Sequence, residues 1–422
     1  MKILAIETSC DETAIAIVDF RGTKRHPSIS VLANIVSSQI AIHKKFGGVV
    51  PNLARREHEK NLAPILITAL KEAKFLNPKF EIRSPKWFDE LTIPSKIEGQ
   101  IQDSKSQTLD SILAREPELL KQFKKHILSL PKPKIDAIAV TYGPGLAPAL
   151  WVGVNFARAL SVLWNKPLIP VNHMAGHFFS AFLQKRGKEK SKFKIPARGE
   201  ARQRRQNSKF PILGLLVSGG HTELVLAEKP WNFKIIGETR DDAAGEAFDK
   251  VARILGLSYP GGPALSALAE RNFQFSIPNF QIRLPRPMIH SDNFDFSFSG
   301  LKTAVLYLAR DLGAKQTKKL RPYIAKEFQD AAVDVLVKKT MRAAKAYRVK
   351  TVLLGGGVAA NRLLREKLGA AIKKEMPKTS YQLPITDLTG DNALMIAIAA
   401  HFTGKKKAWN KVHADANLRL GY

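Results

Sequence analysis

Cysteine is nearly absent. The chain holds one, Cys10, so no intramolecular disulfide framework can form, and a reducing, cytoplasmic setting is expected. The opening "MKILAIETSC" is not a secretory leader, because its apolar part is short and Glu7 interrupts it. One charge-free stretch, Ala137 to Ala157, is long enough to suggest a membrane span. It contains "YGPGLAP", however, and such a cluster reads as a loop between a strand and a helix, so no membrane association is expected. The P-loop spacing GxxxxGK[ST] is missing as well. Acidic residues are the scarce charge, with 37 Asp and Glu against 67 Lys and Arg, a net of +30. A surplus of that size predicts a polyanionic partner, nucleic acid above all.

What is present is an α/β chain too long for one ordinary core, at 422 residues and 45% apolar content. "KILAIETS" and "AIAIVDF" flank the polar "CDET" and read as a hairpin, and "FPILGLLVSGGHTELVLAE" repeats that pattern in the middle of the chain. Each hairpin is followed much later by a strand running into a glycine loop, "DAIAVTYGPG" and "KTVLLGGGV". Two copies of one α/β unit facing each other across a cleft account for this. Ligand phosphates would lie in the cleft against backbone N–H groups. Two segments stand apart. Residues 77–134 show no clear strand but contain the helix-like "LDSILAREPELLKQFKKHIL". Residues 185–209 carry eleven Lys/Arg against two Glu, a net of +9. They are too polar to fold alone and read either as a solvated loop or as a basic arm for RNA.

The chemistry concentrates in "VNHMAGHFFSAF". His173 and His177 stand one helical turn apart, so both imidazoles leave one face and can reach one divalent ion. A peptidase of the HExxH type needs a glutamate directly after the first histidine, and Met174 stands there. Asp391, in "TGDNALMIAIAA", is the candidate third ligand. An N-cap is its other reading, and Asp387 competes for that description. "SGGHT" (Ser218 to Thr222) and Gly355 to Gly357 are glycine turns after apolar runs, suited either to tight turns or to phosphate. Asp11 and Glu12 occupy the first hairpin turn. Glu246 and Asp249 head a helix, where a carboxylate either meets ribose hydroxyls or complements the helix dipole.

"ETSCDETA", "GPGL", "NHMAGH", "LVSGGHT", "GEAFDK", "YPGGP", "FSFSGLKTA", "GGGVAANRLLR" and "GDNALMIA" occur in that order. Together they resemble the TsaD family of tRNA N6-adenosine threonylcarbamoyltransferases, over the chain apart from the two segments above and the extreme tail. The resemblance implies an actin-like, sugar-kinase-like (ASKHA) duplicated fold. It implies one lobe over residues 1–172, a second over 173–390, and a C-terminal helix and tail over 391–422 returning to the first. It implies an acyltransferase that moves the threonylcarbamoyl group from L-threonylcarbamoyl-adenylate to N6 of adenosine 37, in tRNAs reading codons that begin with A, releasing AMP. One divalent ion, Fe2+ with Zn2+ as competitor, is implied on His173, His177 and Asp391. Substrate contacts are implied at Leu216, Val217, Ser218, Gly219, Gly220, Asp249, Gly262 and Asn361, with Asp11 or Glu12 taking the proton from N6 or guarding the metal. TsaB-like and TsaE-like partners and a TsaC-type donor synthase are implied too. The competing readings are a metallopeptidase, a kinase or ATPase of the same fold, and a non-enzymatic nucleic-acid binder.

Overall fold

The computed structural model describes residues 1–23, 26–77, 103–185, 192–194, 209–230, 232–271 and 282–421. Its first sheet contains β1 (Lys2–Glu7), β2 (Glu12–Thr23), β3 (His26–Ser38), β4 (Ala137–Gly143), β5 (Leu168–Asn172), β6 (Gln184–Lys185) and β7 (Lys192–Lys194). The strand order is β5-β4-β1-β2-β3-β7-β6. The second sheet contains β8 (Ile212–Val217), β9 (Thr222–Ala227), β10 (Phe233–Glu238), β11 (Thr351–Gly355) and β12 (Ser380–Gln382), in the order β10-β9-β8-β11-β12.

The two orders are the same five-strand unit written twice. In the first, β1 pairs antiparallel with β2 and parallel with β4, and β4 runs parallel to β5. In the second, β8 pairs antiparallel with β9 and parallel with β11, and β11 runs parallel to β12. The duplicated actin-like fold expected from the sequence is therefore present. Strands β1 and β8 lie mid-sheet with both faces covered, which is why they read as continuous apolar runs rather than as alternation.

The helices are α1 (Ile40–His43), α2 (Pro51–Glu72), α3 (Asp103–Leu113), α4 (Pro117–Gln122), α5 (Ala147–Trp164), α6 (His173–Ser180), α7 (Ala244–Ile254), α8 (Gly261–Ala269), α9 (Ser299–Ala346), α10 (Arg362–Glu375) and α11 (Ala393–Thr403). Helix α9 bends sharply at Gly313, whose φ of +70° only glycine adopts cheaply. The described part of segment 77–134 is folded. Leu109, Leu113, Phe123 and Ile127 join the first lobe's core beside α2 and α5; residues 78–102 lie outside the described residues. Of the basic segment 185–209, residues 192–194 extend the first sheet as β7, with Phe193 buried. Sequence reasoning missed this strand because one aromatic among lysines leaves no periodicity to read. Residues 186–191 and 195–208 lie outside the described residues.

A third core joins the lobes. It combines Ile3, Ala5 and Ala139 of the first sheet with Leu216, Val225 and Leu353 of the second, around α6 and α11. Gly176 brings those two helices together, since a Cβ there would stand 3.1 Å from Met395 and Ile396. The chain ends as a strap. The Asp415 N–H donates to the Tyr142 carbonyl at 2.7 Å, and Arg419 pairs with Glu238 on the second sheet at 2.8 Å. Among the described residues, no helix is long and apolar enough to cross a membrane.

Candidate metal centre and glycine-lined cleft

Helix α6 starts where β5 ends, and the Asn172 side chain caps it by accepting from the Met174 and Ala175 N–H groups. His173 and His177 therefore leave the same face, their rings 4.7 Å apart between centroids and nearly perpendicular. Asp391 arrives from the start of α11. Its Oδ1 lies 3.1 Å from His177 Nε2 and 3.5 Å from His173 Nε2. One ligand atom from each of the three falls within 4.8 Å of the others. Asp391 is not the helix cap, because Asn392 takes that place by accepting from the Met395 N–H. Asp387 is exposed, in a short 3-10 turn.

The residues fit a cation. His177 is fully buried, yet neither ring nitrogen makes a well-aligned hydrogen bond. Buried imidazole nitrogens ordinarily have partners, and an ion among the three side chains would satisfy Nε2. Glu7 completes the arrangement from behind. Its Oε2 lies 3.2 Å from His173 Nδ1 and accepts from Thr141 Oγ1 at 2.5 Å, while Oε1 accepts from the Ser9 N–H at 2.6 Å. A carboxylate on the far nitrogen fixes the ring's orientation and turns Nε2 towards the ion. Sequence reading took Glu7 only as a charge interrupting an apolar run. Its contact with His173 joins the end of β1 to the start of α6 across a separation of 166 residues, so no local spacing could reveal it.

Electrostatics agree with the grouping. Burial favours a neutral His173, but the Asp391 and Glu7 carboxylates outweigh it and push the ring up to about 9. Burial would raise Asp391, yet His173 and His177 hold it well below the usual carboxylate range. His221, in the "SGGHT" turn, is driven down to about 4 by burial and by the same two histidines, which places it at the cluster's edge.

The glycine turns lie beside the cluster, where a Cβ added at Gly355 would stand 2.9 Å from the His177 carbonyl. Ser218 and His221 close their turn on each other, with the Ser218 N–H donating to the His221 carbonyl at 2.8 Å and the His221 N–H donating to Ser218 Oγ at 3.1 Å. Side chains added at Gly219, Gly220 or Gly357 would meet nothing within 4 Å, so the fold itself does not require glycine there. The backbone faces open space, as a ligand that packs on bare amides would need. Gly356 is different: its φ is +88° and a Cβ would collide with the Val217 carbonyl. Leu216 and Val217 are buried at the end of β8.

Asp249 and Asn361 are partly committed elsewhere. Asp249 Oδ1 accepts from the Gly261 and Gly262 N–H groups at 2.7 and 3.1 Å, capping α8. Asn361 caps α10 through the Leu364 N–H and donates to Ser266 and Gln329. Asp11 and Glu12 sit across the cleft in the β1–β2 turn. Tyr259 of the second lobe donates to Asp11 Oδ2 at 3.3 Å, and Ser38 Oγ to Glu12 Oε1 at 3.2 Å. Burial, then the neighbouring Asp11 and Asp391, pushes Glu12 up to about 10.

Duplicated α/β lobes with a His–His–Asp cluster at their junction and glycine turns beside it define a two-lobed protein of the actin-like class. The chain belongs to the TsaD family: the family model described as tRNA N6-adenosine threonylcarbamoyltransferase matches residues 30–79, 118–193 and 197–398. The break between residues 79 and 118 falls inside the segment 77–134 set apart above. Three relatives carry that same description. The chain is 37% identical to the one from Enterococcus faecalis over 423 residues, covering 100% of this chain and 95% of the relative. It is 39% identical to one from Listeria monocytogenes serotype 4b, covering 99% and 96%, and 40% identical to the one from Moorella thermoacetica, covering 95% and 91%.

Proposed function

We propose that the chain transfers the threonylcarbamoyl group of L-threonylcarbamoyl-adenylate to N6 of adenosine 37 in tRNAs reading codons that begin with A, releasing AMP. The observation that carries this reading is the convergence of His173, His177 and Asp391 beside an open glycine turn, in a chain of this family. His173, His177 and Asp391 would hold the ion, with Glu7 orienting His173. Imidazole and carboxylate donors suit Fe2+, with Zn2+ the competitor. When bound, such an ion supplies Lewis-acid polarisation of donor oxygens.

The chain's own groups do the remaining work. The backbone at Gly219, Gly220 and Gly357 takes the adenylate's phosphate, and the neighbouring Asp249 and Asn361 border its nucleoside end. The adenine N6 attacks the carbamoyl carbon, the bond from that carbon to the phosphate oxygen breaks, and AMP carries away the electron pair. The proton leaving N6 is assigned to Asp11, because burial and the neighbouring carboxylates favour the protonated form of Glu12. Met174 fills the position where a peptidase would need its base, and it is buried, so the structure offers no support for peptide cleavage. TsaB-like and TsaE-like proteins are the proposed partners.

The direct test mixes the protein with unmodified tRNA, threonine, bicarbonate, ATP, a donor synthase and the two partners. Nucleoside mass spectrometry should show threonylcarbamoyladenosine. A fully supplied reaction that leaves adenosine 37 unmodified would sink the reading.

The +9 segment gives a second prediction, aimed at tRNA binding. Replacing Arg202, Arg204 and Arg205 together by Ser removes up to three phosphate contacts. The slope of log affinity against log salt should become shallower by about 2–3, since each neutralised phosphate contributes roughly 0.7–0.9. A slope equal to that of the unaltered protein would mean the segment is merely solvated.

A further inference from the structure

Among the buried titratable groups that the mechanism does not use, one lies directly beneath the Asp11–Glu12 turn. His58, on α2, is fully buried, and no expectation drawn from the sequence includes it. Its Nε2 lies 2.9 Å from the Cys10 carbonyl, and its Nδ1 lies 2.8 Å from Thr13 Oγ1 and 3.3 Å from Gln39 Nε2. These partners fix the hydrogens. A carbonyl only accepts, so Nε2 carries the proton and donates to Cys10. An amide nitrogen only donates, so Nδ1 accepts from Gln39, and the Thr13 hydroxyl turns its hydrogen the same way.

The chain of bonds continues without a break. Gln39 Oε1 accepts from His43 Nε2 at 3.1 Å, and His43 Nδ1 accepts from the Val50 N–H, at the residue before α2, at 3.3 Å. The Gln39 N–H donates to the Asp11 carbonyl at 2.9 Å. Three handles of the turn are thus gripped: the Cys10 carbonyl and the Thr13 hydroxyl by His58, and the Asp11 carbonyl by the Gln39 N–H. The turn they bracket presents Asp11 to Tyr259 and Glu12 to Ser38. Burial agrees with the neutral ring, holding His58 down at about 4.

We propose that His58 is a positioning residue: as the neutral Nε2–H tautomer it locks the Cys10–Thr13 turn from the α2 side, and so sets where the Asp11 and Glu12 carboxyl groups stand in the cleft. This rests on the reading of those two acids as part of the transfer site. His58 touches no substrate, so its loss acts on turnover rather than on binding. Small displacements of a reacting group cost about 10²-fold in rate.

The test uses the full chain with its partners and compares His58→Leu, His58→Gln and Thr13→Val. A glutamine amide reaches the place of Nε2 and keeps the donation to Cys10, whereas leucine fills the space and donates nothing. His58→Leu should lower kcat about 30- to 100-fold, while KM for the donor, the bound metal and the affinity for adenine nucleotide stay within about two-fold of the unaltered protein. His58→Gln should recover to within about three-fold. Thr13→Val keeps volume and removes one bond, and should lower kcat about ten-fold; it decides the matter if His58→Leu does not fold. A normal kcat in His58→Leu, or in Thr13→Val where His58→Leu is lost, overturns the proposal. So does loss of metal or nucleotide alongside the rate, which would mean a general structural role. Asp11→Asn separates the two levels: slow Asp11→Asn with normal His58→Leu removes the lock alone, and fast Asp11→Asn removes the reading of the acids beneath it.

Discussion

Asp391→Asn is expected to empty the metal centre and to slow transfer by about 10³-fold, the equivalent of roughly 4 kcal/mol of lost polarisation. The change is nearly isosteric. It exchanges a carboxylate oxygen, 3.1 Å from His177 Nε2 and 3.5 Å from His173 Nε2, for a neutral amide. Asn392 caps α11 whether or not Asp391 is charged, so the helix should survive and melting should change little. Affinity for tRNA should hold, because the basic surface is untouched. Asp387→Asn is the control, since that side chain is exposed and four residues away from the cluster. Metal analysis of both variants, purified without chelator, alongside single-turnover transfer, checks the prediction. An Asp391→Asn protein that keeps one equivalent of metal and the normal rate would reduce Asp391 to a structural acid.

Gly220→Val is expected to weaken donor binding by roughly 5- to 150-fold while leaving the fold intact. A Cβ at this position meets nothing within 4 Å, so the free protein accommodates valine. The added methyls then occupy space that the adenylate needs. Overpacking of that kind costs about 1–3 kcal/mol, or roughly 5- to 150-fold in affinity. Calorimetry with a non-transferable adenylate reads it, and an unchanged melting temperature shows that the loss is local. Gly356→Val gives the contrasting result. Its φ of +88° and the Val217 carbonyl 2.3 Å from an added Cβ make that change destabilising before any ligand arrives. Normal adenylate affinity in Gly220→Val would take the "SGGHT" turn out of the site.

Much of this was legible in the sequence, for reasons that can be named. The duplicated hairpins were visible because central strands buried on both faces have no polar interruptions, and the glycine turns mark their ends. The two histidines were legible because one helical turn is a local spacing. Asp391 was only half legible: ligand and helix cap share one signature, and it took the Asn392 side chain on the Met395 N–H to separate them. Asn361 shows the reverse. A substrate contact was expected there, and nothing in the sequence signalled that its amide is spent on Leu364, Ser266 and Gln329. Glu7 and His58 were not legible at all, because each acts through a contact between elements far apart in the chain. Strand β7 was hidden because backbone pairing to the edge of β3 needs almost no side-chain pattern.

The placement of Asp391 also bears on how the molecule is made. His173 and His177 leave the ribosome long before Asp391 is synthesised, and α11 cannot pack against α6 until it too has emerged. A nascent chain therefore carries a histidine pair with no carboxylate to complete it. The three side chains can therefore act together only after α11 has packed against α6, which makes their grouping a product of tertiary folding rather than of local structure.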